Sequence, residues 1–115
     1  MKELASKQDS MINLVTSRGG IPIRLTDERW THIVEEHGEL VGMRAEVLQT
    51  ISDAARIVTG GVGELLAIRM VEAEKALVVV VYRETSAEDG FVITAFLTRR
   101  LGRLDRRQQI WPSKI

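Results

Sequence analysis

The longest unbroken hydrophobic run in the chain is Ala76-Leu77-Val78-Val79-Val80-Val81-Tyr82, and five of its seven residues are β-branched or aromatic. That composition predicts a central strand covered on both faces, and the run is too short to span a membrane. Shorter alternating stretches surround it. Met11 to Thr16, the turn Arg18-Gly19-Gly20, and Ile21 to Leu25 predict a hairpin, with Pro22 placing the second strand at an edge because it has no N–H for a ladder.

Period two then gives way to period three to four. Thr26 supplies a hydroxyl cap and Asp27 and Glu28 put carboxylates in a first helical turn, so a helix is predicted from there to His37, stopped by Gly38. Its apolar stripe is Trp30, Ile33, Val34, His37 and Val41; His32, Glu28, Glu35 and Glu36 fall on the wet side. A second helix, Met43 to Ala54, turns Ala45, Val47, Leu48, Ile51 and Ala55 inward.

Arg56 to Thr59, Leu65 to Glu72, Ala76 to Glu84 and Gly90 to Thr98 read as strands joined by short polar links, which connect antiparallel neighbours. The predicted fold is α+β: an N-terminal hairpin, then two helices packed on one face of a four-stranded antiparallel meander. Residues 1–10 read as a polar leader, and 11–115 as one domain with a basic C-terminal segment, 99–115. Alternation assigns Leu66, Ile68 and Met70, with Phe91, Ile93, Ala95 and Leu97, to the helix-covered side. Arg69, Val92, Thr94, Phe96 and Thr98 then share the second face.

Charge changes the picture, because a net charge of zero hides an asymmetry. Up to Thr98 the chain has 10 Lys and Arg against 15 Asp and Glu; from Arg99 onward it has six against Asp105 alone. The body is acidic and the tail basic, and Arg outnumbers Lys 12 to 4, which suits bidentate contact with phosphate or carboxylate. A basic tail folded onto the acidic body as solvated ion pairs is the plain alternative. With no Cys there is no disulfide framework or thiolate zinc site, and no apolar leader follows the N-terminus, so a cytoplasmic protein is expected.

Few residues can carry chemistry. His32 and Glu36 are four apart, but His37 points about 140° from His32 on an ideal helix, so no metal set and no cofactor is expected. His37, the one titratable group on an apolar stripe, is either a helix-terminal packing residue or an acid–base group. Gly60-Gly61-Val62-Gly63 lacks the following Lys and Ser/Thr of a phosphate loop and reads as a turn.

The series Thr26-Asp27-Glu28-Arg29-Trp30-x-His32-Ile33-x-x-x-His37-Gly38, two helices, Leu77 to Arg83, and Val92-Ile93-Thr94-Ala95 with following arginines resembles the barnase/EndoU/colicin/RelE-like (BECR) nuclease superfamily over about residues 24–107. It looks closest to the phage-borne domains and BrnT-like toxins. The resemblance implies metal-independent cleavage of RNA by 2′-hydroxyl attack on phosphate, with His37, Thr94 and Arg99 at the reacting centre and Arg100, Arg103, Arg106 and Arg107 on the backbone of the nucleic acid. Strand parity adds Arg69 as a phosphate clamp. The partners implied are RNA and an antitoxin or immunity protein, with no membrane. Two other readings compete: a binding or homo-oligomerisation module using Thr94, Phe96, Tyr82 and Trp111 as contacts, and an antitoxin-like role in which the acidic first helix mimics nucleic acid.

Overall fold

The computed structural model describes residues 11–113, so the polar leader 1–10 and Lys114 of the basic tail lie outside the described residues. A hairpin opens the chain, β1 (Ile12–Thr16) against β2 (Pro22–Thr26). In its turn Gly20 takes φ 84°, a conformation that glycine adopts without strain. Thr26 Oγ1 accepts a 3.0 Å hydrogen bond from Arg29 N and caps α1 (Asp27–Glu36). A 3-10 turn (Gly38–Leu40) leads to α2 (Arg44–Ser52), followed by β3 (Arg56–Thr59), β4 (Leu65–Val71), β5 (Ala76–Ser86) and β6 (Asp89–Thr98). A short α3 (Gly102–Asp105) and β7 (Gln109–Trp111) complete it.

The α+β class holds, but the sheet is not a four-stranded antiparallel meander. Strands β3 to β6 form that meander inside a seven-stranded mixed sheet ordered β1-β2-β6-β5-β4-β3-β7. The two helices carry the chain across the sheet, so β2 lies parallel to β6 through Ile23↔Gly90 and Arg24↔Phe91. Gly90 permits this approach: a Cβ there would collide with the Arg83 carbonyl oxygen and Ile23 Cδ1. Pro22 therefore does not mark an edge. It stands at the first position of β2, ahead of the pairing with β6, where a missing N–H is tolerated; the edge is β1.

Helices α1 and α2 cover one face, packing Ile33, Val47 and Ile51 on Ile23, Leu25, Ala67, Val78, Val80 and Tyr82. Truncating a residue as buried as Ile51 to Ala costs about 2–5 kcal/mol. Val41, Ala45 and Ala55, expected inward, are exposed. For Val41 the reason is that α1 ends at Glu36, which hands the buried position to Leu40. Tyr82, proposed as a contact residue, lies wholly inside this core.

The second face has its own core of Val58, Leu66, Ile68, Val79 and Val81, closed by Leu104 of α3, which is only 5% exposed. The alternation of β4 is thus the reverse of that expected: Leu65, Ala67 and Val71 pack under the helices, and Arg69, opposite Val78, faces the same way. Arg69 apart, both residue sets of β4 are apolar, so parity separates them without saying which side is which. Strand β6 holds a bulge. Thr94 pairs with Val81 and Val92 with Tyr82, leaving Ile93 as the extra residue. Phe91 and Ile93 move to the second face and Val92 to the helix side, while Thr94, Phe96 and Thr98 lie on the second face as the alternation predicts.

Candidate functional site

Beyond Phe91, β6 has no strand on its β2 side among the described residues, and α1 with the turn after it lies along that margin. Glu39 Oε2 accepts from the backbone N–H of Leu97 at 3.4 Å, satisfying a donor that a strand neighbour would otherwise take. The same oxygen is 3.4 Å from His37 Nδ1. His37 in turn lies against Phe96, with ring centroids 6.1 Å apart and planes tilted by 37°.

Between α1 and the β6 bulge is a cleft of about 530 Å³, walled by Arg29, His32, Glu36 and His37 on one side and by Ile93 and Thr94 on the other. Arg29, His32 and Glu36 follow each other at three and four residues, one flank of a helix. His37 joins them because it is no longer helical. At φ −130° and ψ 71° it leaves the α1 path while its N–H still bonds Ile33 O at 2.8 Å. Both histidines thus border the cleft despite the divergence expected from an ideal helix. His32 Nδ1 stands 3.5 Å from Glu35 Oε1 on the solvent side. Two imidazoles, a guanidinium, the Glu36 carboxylate and a hydroxyl in one open cleft can exchange protons, and Arg29 with Thr94 can hold an anion.

A second hollow of about 720 Å³ opens on the other side of Phe96, between β6 and α3. Phe96, Thr98, Arg100, Arg103, Arg106 and Arg107 line it. Arg107 donates to Thr59 O at 3.3 Å; among the described residues Arg100, Arg103 and Arg106 form no ion pair. The single carboxylate of this segment, Asp105, is engaged at 2.8 Å by Arg56.

His37 and Thr94 thus share the cleft, and Arg100, Arg103, Arg106 and Arg107 share the groove beside it. Arg99 and Arg69 belong to neither. Arg99 reaches away to donate to Glu74 O at 2.9 Å, beside the β4–β5 turn, and Arg69 lies on the helix side of the sheet with its Nε buried and unpartnered among the described residues. A phosphate clamp at Arg69 beside Thr94 is therefore withdrawn. Sequence reasoning missed Arg29 and set His32 and Glu36 aside as surface; their three-and-four spacing ahead of His37 was the signal available.

At the start of β6, Arg24 forms a two-pronged pair with Asp89, Nε to Oδ1 and Nη2 to Oδ2, both 2.9 Å, and its guanidinium sits 5.7 Å from the Phe91 ring centroid. Hydrogen bonding from Arg24 holds the Asp89 carboxyl below its ordinary value. Among the described residues no three His, Asp or Glu gather as metal ligands, and no helix is long and apolar enough to cross a membrane. No family profile, curated protein or solved structure matches this chain.

Proposed function

We propose that this chain is a metal-independent endoribonuclease of toxin type. The observation that supports the reading is the meeting of His37 and Thr94, 57 positions apart in sequence, in one cleft with Arg29 and His32, next to a groove of arginines. With Nδ1 turned to Glu39, His37 has Nε2 free to accept a proton. It takes the proton of a ribose 2′-hydroxyl as that oxygen attacks the adjacent phosphorus. His32 gives a proton to the departing 5′-oxygen, leaving a 2′,3′-cyclic phosphate and a 5′-hydroxyl. Arg29 and Thr94 hold the phosphate oxygens as charge builds on them. Arg100, Arg103 and Arg106 bind the flanking backbone. An antitoxin or immunity protein would restrain such an activity by covering the cleft.

The test is purified protein incubated with total RNA, with and without EDTA, alongside His37→Ala and Thr94→Ala. Cleavage is expected to survive EDTA, to leave cyclic phosphate ends, and to fall roughly 10²–10⁴-fold in His37→Ala, the usual contribution of a proton-transfer group. Equal cleavage by the wild type and His37→Ala would identify a contaminant and end the proposal, as would intact RNA throughout.

A second reading, a non-catalytic module that pairs with its own copy, is favoured by the edge strand β1, where Ile12 and Leu14 are 52% and 63% exposed. Sedimentation velocity over a concentration series tests it: association abolished by Leu14→Lys supports self-pairing, and a monomer at every concentration removes it.

A further inference from the structure

We propose that a single strand of RNA runs along β6 with one base stacked on Phe91 and another on Phe96, on either side of the phosphate held at Thr94. This deepens the ribonuclease reading and rests on it for the nature of the ligand.

The bulge is what makes the arrangement available. Phe91 and Phe96 are five residues apart, an odd separation that in a regular strand turns two side chains to opposite faces. Ile93 adds one unpaired position between them. Phe91 then lies opposite Arg83 and Phe96 opposite Val79, four residues apart on the regular strand β5, so both rings stand on one face with Thr94 between them. At about 3.3 Å per residue along β5, the rings are separated by roughly 13 Å.

Three separate hollows follow one another beside these rings. Arg29 borders both the central cleft and a small hollow of about 140 Å³ floored by Phe91. At the other end the Phe96 ring lies 6.1 Å, centroid to centroid, from His37 of the cleft, and it lines the arginine groove. Guanidinium, imidazole and aromatic groups therefore follow one another: Arg29 by Phe91, then the His37 imidazole by Phe96, then Arg100 and Arg103, while Arg24, also beside Phe91, is paired with Asp89. Single-strand binders combine these two chemistries, because guanidinium follows the phosphates and a phenyl ring accepts any base on its π-face. A duplex does not fit, since its bases are stacked on one another and cannot be splayed onto two separated rings. Arginines without ion-pair partners among the described residues favour a polyanion over a neutral peptide.

The test separates stacking from charge, and binding from cleavage. Fluorescence anisotropy is measured with a 2′-O-methyl RNA oligonucleotide, which lacks the attacking hydroxyl, and with the same strand made abasic at consecutive positions. Phe91→Leu and Phe96→Leu are each expected to weaken binding of the intact strand about tenfold, within what base–aromatic stacking supplies. The abasic strand should bind the wild type and both variants alike. Leucine at Phe96 keeps apolar volume against the second core, and a thermal melt of each variant confirms that it folds. Equal affinity of all three proteins for the intact strand overturns the proposal, as does an equal loss on the intact and abasic strands. So does competition by poly-glutamate as effective as that by RNA, which would assign the face to an acidic protein. Phenyl-dependent binding without any cleavage of total RNA would leave this inference standing and remove the ribonuclease reading alone.

Discussion

His37 Nδ1 stands 3.4 Å from Glu39 Oε2, and that one carboxylate oxygen also accepts the Leu97 N–H at 3.4 Å. Glu39 thus ties the histidine to the free margin of β6, the strand that carries Thr94. The arrangement predicts a positioning role. Glu39→Gln keeps an acceptor oxygen and should retain most activity; Glu39→Ala leaves the imidazole without its partner and should lower kcat roughly tenfold or more with little change in KM. Its folding cost should be about 1 kcal/mol, the net worth of one hydrogen bond. Steady-state kinetics on a short RNA with a urea melt of each variant checks both. A rise in KM at constant kcat would instead put Glu39 in substrate binding.

The arginine groove predicts how affinity responds to salt. Each phosphate neutralised on a single strand contributes about −0.7 to the slope of log K against log salt concentration. Arg103→Ala and Arg106→Ala should each make the slope shallower by about that amount, whatever the base sequence of the strand. Titrations of a labelled single strand between about 50 and 200 mM salt measure it. An unchanged slope in both variants would mean that these guanidinium groups do not meet phosphate.

What could be read from the chain, and what could not, follows from how local each cause is. The Ala76–Tyr82 run and the Thr26 cap declare themselves because burial on both faces and the capping of a helix are settled within a few residues. The parallel pairing of β2 with β6 brings Ile23 beside Gly90, and the missing side chain at Gly90 was its only local trace. Arg69 was placed on the wrong face because the two residue sets of β4 are both apolar, and nothing in an alternation names the side that helices will cover. The cover on the second face, Leu104, comes from a helix of four residues, too short to leave a period. In the cleft, His37 and Thr94 could be picked out by residue type, but their company could not. His37 joins Arg29 and His32 there because the helix ends one residue early, and Ile93 shifts the strand that faces them, both departures from ideal geometry.

The Arg24–Asp89 pair gives a pH dependence of defined sign. Hydrogen bonding from Arg24 lowers the Asp89 carboxyl below its ordinary 3.8, so the folded protein binds that proton less readily than the unfolded chain. The contribution is complete above the unfolded value and is lost as pH falls through the lower, folded one. The Tm difference between wild type and Asp89→Asn should therefore be flat from about pH 7 to about pH 5 and shrink below about pH 4. Calorimetry across that range decides it. A difference that grows on acidification would mean that Asp89 is protonated more easily in the fold than out of it.

Tyr82 offers the opposite case, a polar atom whose removal should help. The residue is wholly buried, and its hydroxyl has no hydrogen-bond partner among the described residues. The nearby Glu84 carboxylate accepts instead from Ser17 Oγ, at its Oε2 and 2.5 Å. Burial pushes the Tyr82 phenol pKa up and the charge of Glu84 adds to the shift, so the ring stays neutral at physiological pH. An unpartnered hydroxyl in such a place costs about 1–3 kcal/mol, whereas the ring itself packs against Ile23 and Val80 in the main core. Tyr82→Phe keeps the ring and deletes the cost, leaving a small void. Stability is expected to be unchanged or to rise by about 1 kcal/mol, with the denaturant m-value constant because the surface exposed on unfolding is the same. Urea unfolding of the two proteins measures it directly. A loss above about 1 kcal/mol would show that the hydroxyl holds a bond, a bridging water between it and Glu84 being the arrangement with the right chemistry.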